Sequence, residues 1–124
     1  MIIGTGIDIV EVDRIATKIM NGSGFLEKVF SAGEIIYCES KANKAQHYAA
    51  RFAAKEAFLK ATGLGLMAGL DLHNIELIHD KNEKPSIRLT GAFKQLAKNN
   101  QWLNVHVSIS HVQSVACAII IIEK

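Results

Sequence analysis

The chain has 124 residues, 49% of them hydrophobic, with 14 Lys and Arg against 12 Asp and Glu, for a formal net charge of +2. That length suits one domain, 1–124, with a sizeable core, and leaves no second domain to be sought. So small a basic excess does not argue for nucleic acid, and any basic contact surface must be local.

In chain order, Met1-Ile2-Ile3-Gly4 lacks the charged start and cleavage pattern of a secretory signal, and no stretch reaches the roughly 18 apolar residues of a membrane span. The expectation is a cytoplasmic chain with no membrane partner. Residues 2–10, rich in Ile and Val with poor alternation, predict a strand covered on both faces, with Asp8 near its end. Val12, Ile15, Ala16 and Ile19 recur at helical spacing, with Asp13, Arg14, Thr17 and Lys18 on the other side, and Asn21-Gly22-Ser23-Gly24 ends that helix. Ser31 and Glu34 form a capping-box pattern for a second short helix that ends near Ser40. The longest helix is predicted over 44–62, free of Gly and Pro, with an Ala-rich centre suited to close packing and Gly63 as a left-handed terminator. Ile75 and Leu77, a polar turn over 80–84 and a strand after Pro85 make a hairpin. A short helix follows over 91–98, then two strands, 105–110 and 115–122, around a turn at 111–114. The four consecutive isoleucines of the last strand are too apolar for an exposed edge. There is no internal repeat, so the expected fold is α+β, one compact domain with an antiparallel sheet packed by helices. Cys38, in a helix, and Cys117, in an apolar strand, read as reduced, core-type cysteines.

Two acids stand where acids are unwelcome. Asp8 interrupts the apolar strand in Gly4-Thr5-Gly6-Ile7-Asp8-Ile9-Val10, and Glu56 rides an Ala- and Phe-rich helix in Arg51-Phe52-Ala53-Ala54-Lys55-Glu56-Ala57-Phe58-Leu59-Lys60. Acids at such places are seldom buried unless paired or bound to a metal, and a shared divalent cation explains both. Magnesium suits them, since it needs only one or two protein carboxylates beside phosphate oxygens and water. The plainer reading has Asp8 bonding backbone groups and Glu56 pairing with Lys60 one turn on. Arg51 and Lys60 flank Glu56 with positive charge on a face that a pyrophosphate can approach, while Lys55 reads as a solvated lysine. Gly63, Gly65 and Gly69 do not form a Walker loop and read as helix termination. Period two puts His106, Ser108 and Ser110 on one strand face and Val107 and Ile109 on the other, with His111 in the turn.

These segments, with Gly63-Leu64-Gly65-Leu66, His106-Val107-Ser108-Ile109-Ser110-His111 and Ala116-Cys117-Ala118-Ile119-Ile120, occur in order along nearly the whole chain. Together they resemble the signatures of the holo-[acyl-carrier-protein] synthases, the small 4′-phosphopantetheinyl transferases. The resemblance implies transfer of phosphopantetheine from coenzyme A to a serine of apo acyl carrier protein, with Mg2+ held by Asp8 and Glu56. It implies that Glu56 and Lys60 serve catalysis, that Arg51, Lys60, Gly63, Gly65 and His111 contact coenzyme A, and that Arg14, Lys18 and Met20 contact the carrier protein. It also implies a homotrimer with active sites between subunits. Glu83 stands where the family commonly has Gly before Lys-Pro, and Ser114-Val115 where an aromatic residue commonly precedes the Ala. Both departures bear on turn geometry and pocket edge rather than on reaction type. A magnesium-dependent nucleotide pyrophosphatase, or a non-enzymatic oligomeric binding module, are the other functions these residues allow.

Overall fold

The structure, a computed structural model, describes residues 1–64 and 71–124. A central sheet of three antiparallel strands runs in the order β1 (Ile2–Glu11), β5 (Val115–Glu123), β4 (Asn104–His111). The isoleucine-rich β5 is thus the middle strand, as its apolar run demands. A separate hairpin pairs β2 (Ile75–His79) with β3 (Pro85–Leu89), so the strands form two sheets rather than one.

One long helix, α4 (Lys44–Thr62), lies across the sheet. Even-numbered residues of β1 and β5 face it: Val10, Ala116, Ala118, Ile120 and Ile122 are all buried. The small residues of the strand and helix explain how closely the two approach. A side chain at Gly6 would put its Cβ well inside contact distance of the Ala57 carbonyl oxygen, and one at Gly4 would do the same at Ala61. Only glycine in the strand, opposite alanine in the helix, allows this spacing. The Ala-rich centre of α4 thereby brings β1, and with it Asp8, against the helix.

The remaining helices are α1 (Val12–Met20), α2 (Phe25–Val29), α3 (Ala32–Glu39) and α5 (Gly91–Asn99), and a short 3-10 turn, Leu72–Asn74, leads into β2. The Ser31/Glu34 capping box is formed in full at the start of α3. Gly63 ends α4 at φ 73°, its N–H bonded back to Leu59 and Lys60. Sequence periodicity does not signal α2, which is only five residues long. Burial pushes the Cys38 thiol up to about 12, in keeping with an inert core cysteine, and Cys117 is half-buried; both are free thiols.

Two expectations are corrected. Strand β1 is covered on one face only, and on the other Ile7 and Ile9 are 66% and 70% exposed. Its unbroken Ile/Val character is that of a strand with two covered faces, but among the described residues the single chain supplies only one cover. Lys55, expected on a solvated face, is 1% exposed and paired with Glu34 at 2.7 Å. The side of α4 on which it sits is packed under α3 and β2, so its charge is met inside the protein rather than by water.

Candidate active site

Asp8 emerges on the inner face of β1, two residues beyond Gly6, beside α4. Lys60 reaches across from the last turn of α4, donating to Asp8 Oδ1 at 3.1 Å and to the Ile7 carbonyl at 2.9 Å. The Asp8 side chain is only 15% exposed while that of Lys60 is 57% exposed, so the pair opens to solvent on the lysine side. The plainer sequence alternative, a Glu56–Lys60 pair along the helix, is not what forms: Lys60 pairs with Asp8.

Glu56 is half-buried on the same helix, one turn before Lys60. Burial holds its pKa above the usual carboxylate range, and the negative charge of Asp8 raises it further, against the opposing pull of Lys60, Arg14 and Lys18. Two carboxylates that repel across this gap, flanked by cations, suit a hard cation completed by substrate oxygens. Among the described residues no group of three or more His, Cys, Asp or Glu is placed to hold a metal by itself. A two-carboxylate site therefore fits magnesium only as the protein's part of a shell that water and substrate oxygens complete.

The helix α1 brings its basic residues to the same end of the molecule. Arg14 is exposed and Met20 is 84% exposed, while Lys18 is half-buried with its ammonium 5.5 Å from the Phe25 ring and 5.9 Å from Phe52. Lys18 is thus partly engaged in cation–π contact, leaving Arg14 as the freer charge.

Arg51 lies elsewhere. Nine residues are two and a half turns of helix, which turns Arg51 about 180° away from Lys60, and about 140° away from Glu56. Sequence spacing placed the two cations on one approachable face; the helix carries them on opposite sides. Arg51 is 1% exposed, donates to the His47 carbonyl at 3.2 Å, lies 3.4 Å from His79 Nδ1, and stacks its guanidinium 4.2 Å over Tyr37. Its Nε has no hydrogen-bond partner among the described residues.

Around it gathers a second cluster, of which the sequence named Arg51 and His111 but not Tyr37, His47 or His79. Tyr37 and His79 are stacked at 4.8 Å, and His47 stands edge-on to both Tyr37 (5.8 Å) and His111 (5.1 Å). His111 Nδ1 is 2.9 Å from Gln46 Oε1. Burial lowers the pKa of His47 and His79 first, and electrostatic interaction with His111 and with Arg51, respectively, lowers them next. A cavity of about 370 Å³ opens beside Tyr37, Arg51 and His79. Nothing local signals this cluster, because its members come from α3, α4, β2 and β4. Of the predicted coenzyme A residues, Gly63 is described at the end of α4, whereas Gly65 lies outside the described residues.

A family model described as the 4′-phosphopantetheinyl transferase superfamily matches residues 4–120. The holo-[acyl-carrier-protein] synthase of Geobacter metallireducens is 45% identical over 125 residues, spanning 100% of this chain and 99% of that protein. Among solved structures, the holo-[acyl-carrier-protein] synthase of Neisseria meningitidis superposes with a TM-score of 0.91 at 30% identity, covering 100% of both chains. The Helicobacter pylori enzyme of that name, solved in complex with coenzyme A, gives 0.84 at 30% identity, covering 96% of this chain and 99% of that one. With near-complete coverage in both sequence and structure, this chain belongs to the 4′-phosphopantetheinyl transferase superfamily, as an enzyme of the holo-[acyl-carrier-protein] synthase family.

Proposed function

We propose that this enzyme transfers the 4′-phosphopantetheine group of coenzyme A to a serine hydroxyl of apo acyl carrier protein in a Mg2+-dependent reaction that releases adenosine 3′,5′-bisphosphate. The observation that carries the reading is the convergence of Asp8, Glu56 and Lys60 at the β1–α4 contact. Magnesium would be held by Asp8 and Glu56, and when bound it supplies charge neutralisation to pyrophosphate oxygens.

The chain's own groups account for the rest. Lys60, anchored on Asp8 and the Ile7 carbonyl, holds a positive charge beside the leaving phosphate. The serine oxygen bonds to the phosphorus that bears pantetheine, the bond from that phosphorus to the bridging oxygen breaks, and the nucleotide leaves with the electron pair. The serine proton passes to Glu56, directly or through water, since burial and the charge of Asp8 raise the pKa of that carboxylate and favour its accepting a proton. Arg14, Lys18 and Met20 form the carrier contact, a basic and partly apolar surface suited to an acidic partner.

Arg51 and His111 serve coenzyme A from the other side of α4. One ligand can use both clusters if they come from different subunits, which favours a homotrimer with interfacial sites. The outer sheet face supports this assembly: Ile7 pairs in register with Ile119, and Ile7, Ile9 and Ile119 all lie open in the single chain. Incubating the chain with apo carrier protein, coenzyme A and Mg2+ and weighing the carrier by mass spectrometry tests the reading. The carrier should gain one phosphopantetheine, and Asp8→Ala and Glu56→Ala should each abolish the gain with circular dichroism unchanged. Coenzyme A hydrolysis without carrier gain would mark a pyrophosphatase, and no turnover at all a binding module.

A further inference from the structure

Strand β2 is paired by β3 along one edge, and its other edge faces α3 and α4. On that second edge the backbone groups of Ile75 and Leu77 point the same way, as residues two apart in a strand must. Among the described residues no strand meets them. The Leu77 N–H donates instead to Glu34 Oε2 at 3.0 Å, and the Ile75 carbonyl accepts from Lys55 Nζ. A carboxylate and an ammonium thus provide the acceptor and the donor that a neighbouring strand would have provided.

The pair is saturated. The three Lys55 protons go to Glu34 Oε1 at 2.7 Å, to the Leu72 carbonyl at 3.1 Å and to Ile75. Glu34 Oε1 also accepts from the Ser31 N–H at 2.9 Å, closing the capping box of α3. Two side chains therefore join the start of α3, the 3-10 turn, the inner edge of β2 and the middle of α4.

Those same elements carry the second cluster. Tyr37 lies one turn beyond Glu34 on α3, His79 ends β2, and Arg51 lies one turn before Lys55 on the same face of α4. Apolar packing alone tolerates sliding between a helix and a strand, whereas charge-assisted hydrogen bonds hold their atoms to a few tenths of an ångström. We propose that Lys55 and Glu34 are positioning residues for the transfer reaction, holding α3 and β2 against α4 so that Tyr37, His79 and Arg51 keep the shape of the coenzyme A half-site. This role rests on the coenzyme A-dependent function proposed above. It leaves the chemistry at Asp8, Glu56 and Lys60, on the opposite side of α4, to proceed unaided.

The test is steady-state transfer by the full-length chain carrying Glu34→Gln, which keeps the size of the side chain and one carbonyl acceptor but removes the charge that pairs with Lys55. Kinetics are run well below the variant's unfolding transition, with coenzyme A and apo carrier varied separately. The KM for coenzyme A should rise roughly tenfold while kcat stays within about threefold and the carrier KM is unchanged. The double variant Glu34→Gln/Arg51→Met should exceed the wild-type KM by much less than the product of the two single effects, since both act on one cluster. A Glu34→Gln enzyme with a lowered melting point and a wild-type coenzyme A KM would show a purely stabilising pair and overturn the proposal, as would a fall in kcat at unchanged KM. Should Glu34→Gln fail to fold, Glu34→Asp, which keeps the charge and shortens its reach, is measured against the same outcomes. A wild-type chain without transfer activity would overturn the functional reading itself, and the positioning role with it.

Discussion

Replacing Gly6 with Ala should damage both the fold and the reaction, because the two depend on one spacing. The added Cβ would fall deep inside the Ala57 carbonyl oxygen, 2.9 Å from the Ala57 carbonyl carbon and 2.8 Å from the Ala61 nitrogen. All three are backbone atoms of α4, so no side chain can swing aside. Restoring ordinary contact requires β1 and α4 to separate by more than about 1 Å, since non-bonded heavy atoms settle near 3.5–4 Å. Overpacking of this kind costs about 2–3 kcal/mol. For a domain of this size that is a fall of roughly 6–12 °C in melting temperature, read by thermal and urea denaturation at one fixed protein concentration. Asp8 sits on the displaced strand and Glu56 and Lys60 on the helix, so the same shift opens the Asp8–Lys60 pair. Misplacement by about 1 Å is enough for a hundredfold loss, so kcat/KM for folded Gly6→Ala should drop by about that factor. An unchanged denaturation midpoint would refute the close-approach argument, and a destabilised variant with wild-type kcat/KM would refute the claim that this contact sets the site.

Further outcomes follow from single residues. Glu83 adopts φ 61°, a left-handed conformation that disfavours a side chain, so Glu83→Gly should stabilise the chain by about 1 kcal/mol in urea denaturation; a loss of stability would contradict this. Glu56 is held above the usual carboxylate range by burial and then by Asp8, so the folded chain keeps its proton to higher pH than the unfolded chain does. Its ionisation therefore costs stability as pH rises through that raised value, and with Glu56 as the proposed Mg2+ ligand protons would compete with the metal as pH falls. The Mg2+ needed for half-maximal transfer should rise between about pH 7 and about pH 5, and Mg2+ titrations that coincide at both would refute Glu56 as a ligand. Arg14→Glu should raise the carrier KM roughly tenfold while coenzyme A affinity, read by direct titration, is retained. That defect should shrink with added salt, and an equal loss of coenzyme A binding would remove Arg14 from the carrier surface.

Much of this protein was legible along the chain because the signals are local. The capping box of Ser31 and Glu34, the terminator Gly63, the Gly- and Pro-free run of α4 and the isoleucines of β5 each act within a few residues, so element type and extent follow from nearest neighbours. The motif residues Asp8, Glu56 and Lys60 were legible too, since an acid in an apolar strand and an acid and a lysine one helical turn apart are visible without any partner. Which of these residues pair was decided only in three dimensions. Lys60 takes Asp8 because Gly4 and Gly6 let β1 approach α4, and a glycine in a strand does not announce what will press against it. Lys55 and Arg51 both looked solvent-facing from their spacing, yet both are buried, because α3 and β2 cover that side of α4 from distant parts of the sequence. The gathering of Tyr37, His47 and His79 around His111 has no sequence signature for the same reason. Hydrophobic period and caps determine where helices and strands form, but the burial of a charge depends on which elements meet, and that is set by packing between residues far apart in the chain.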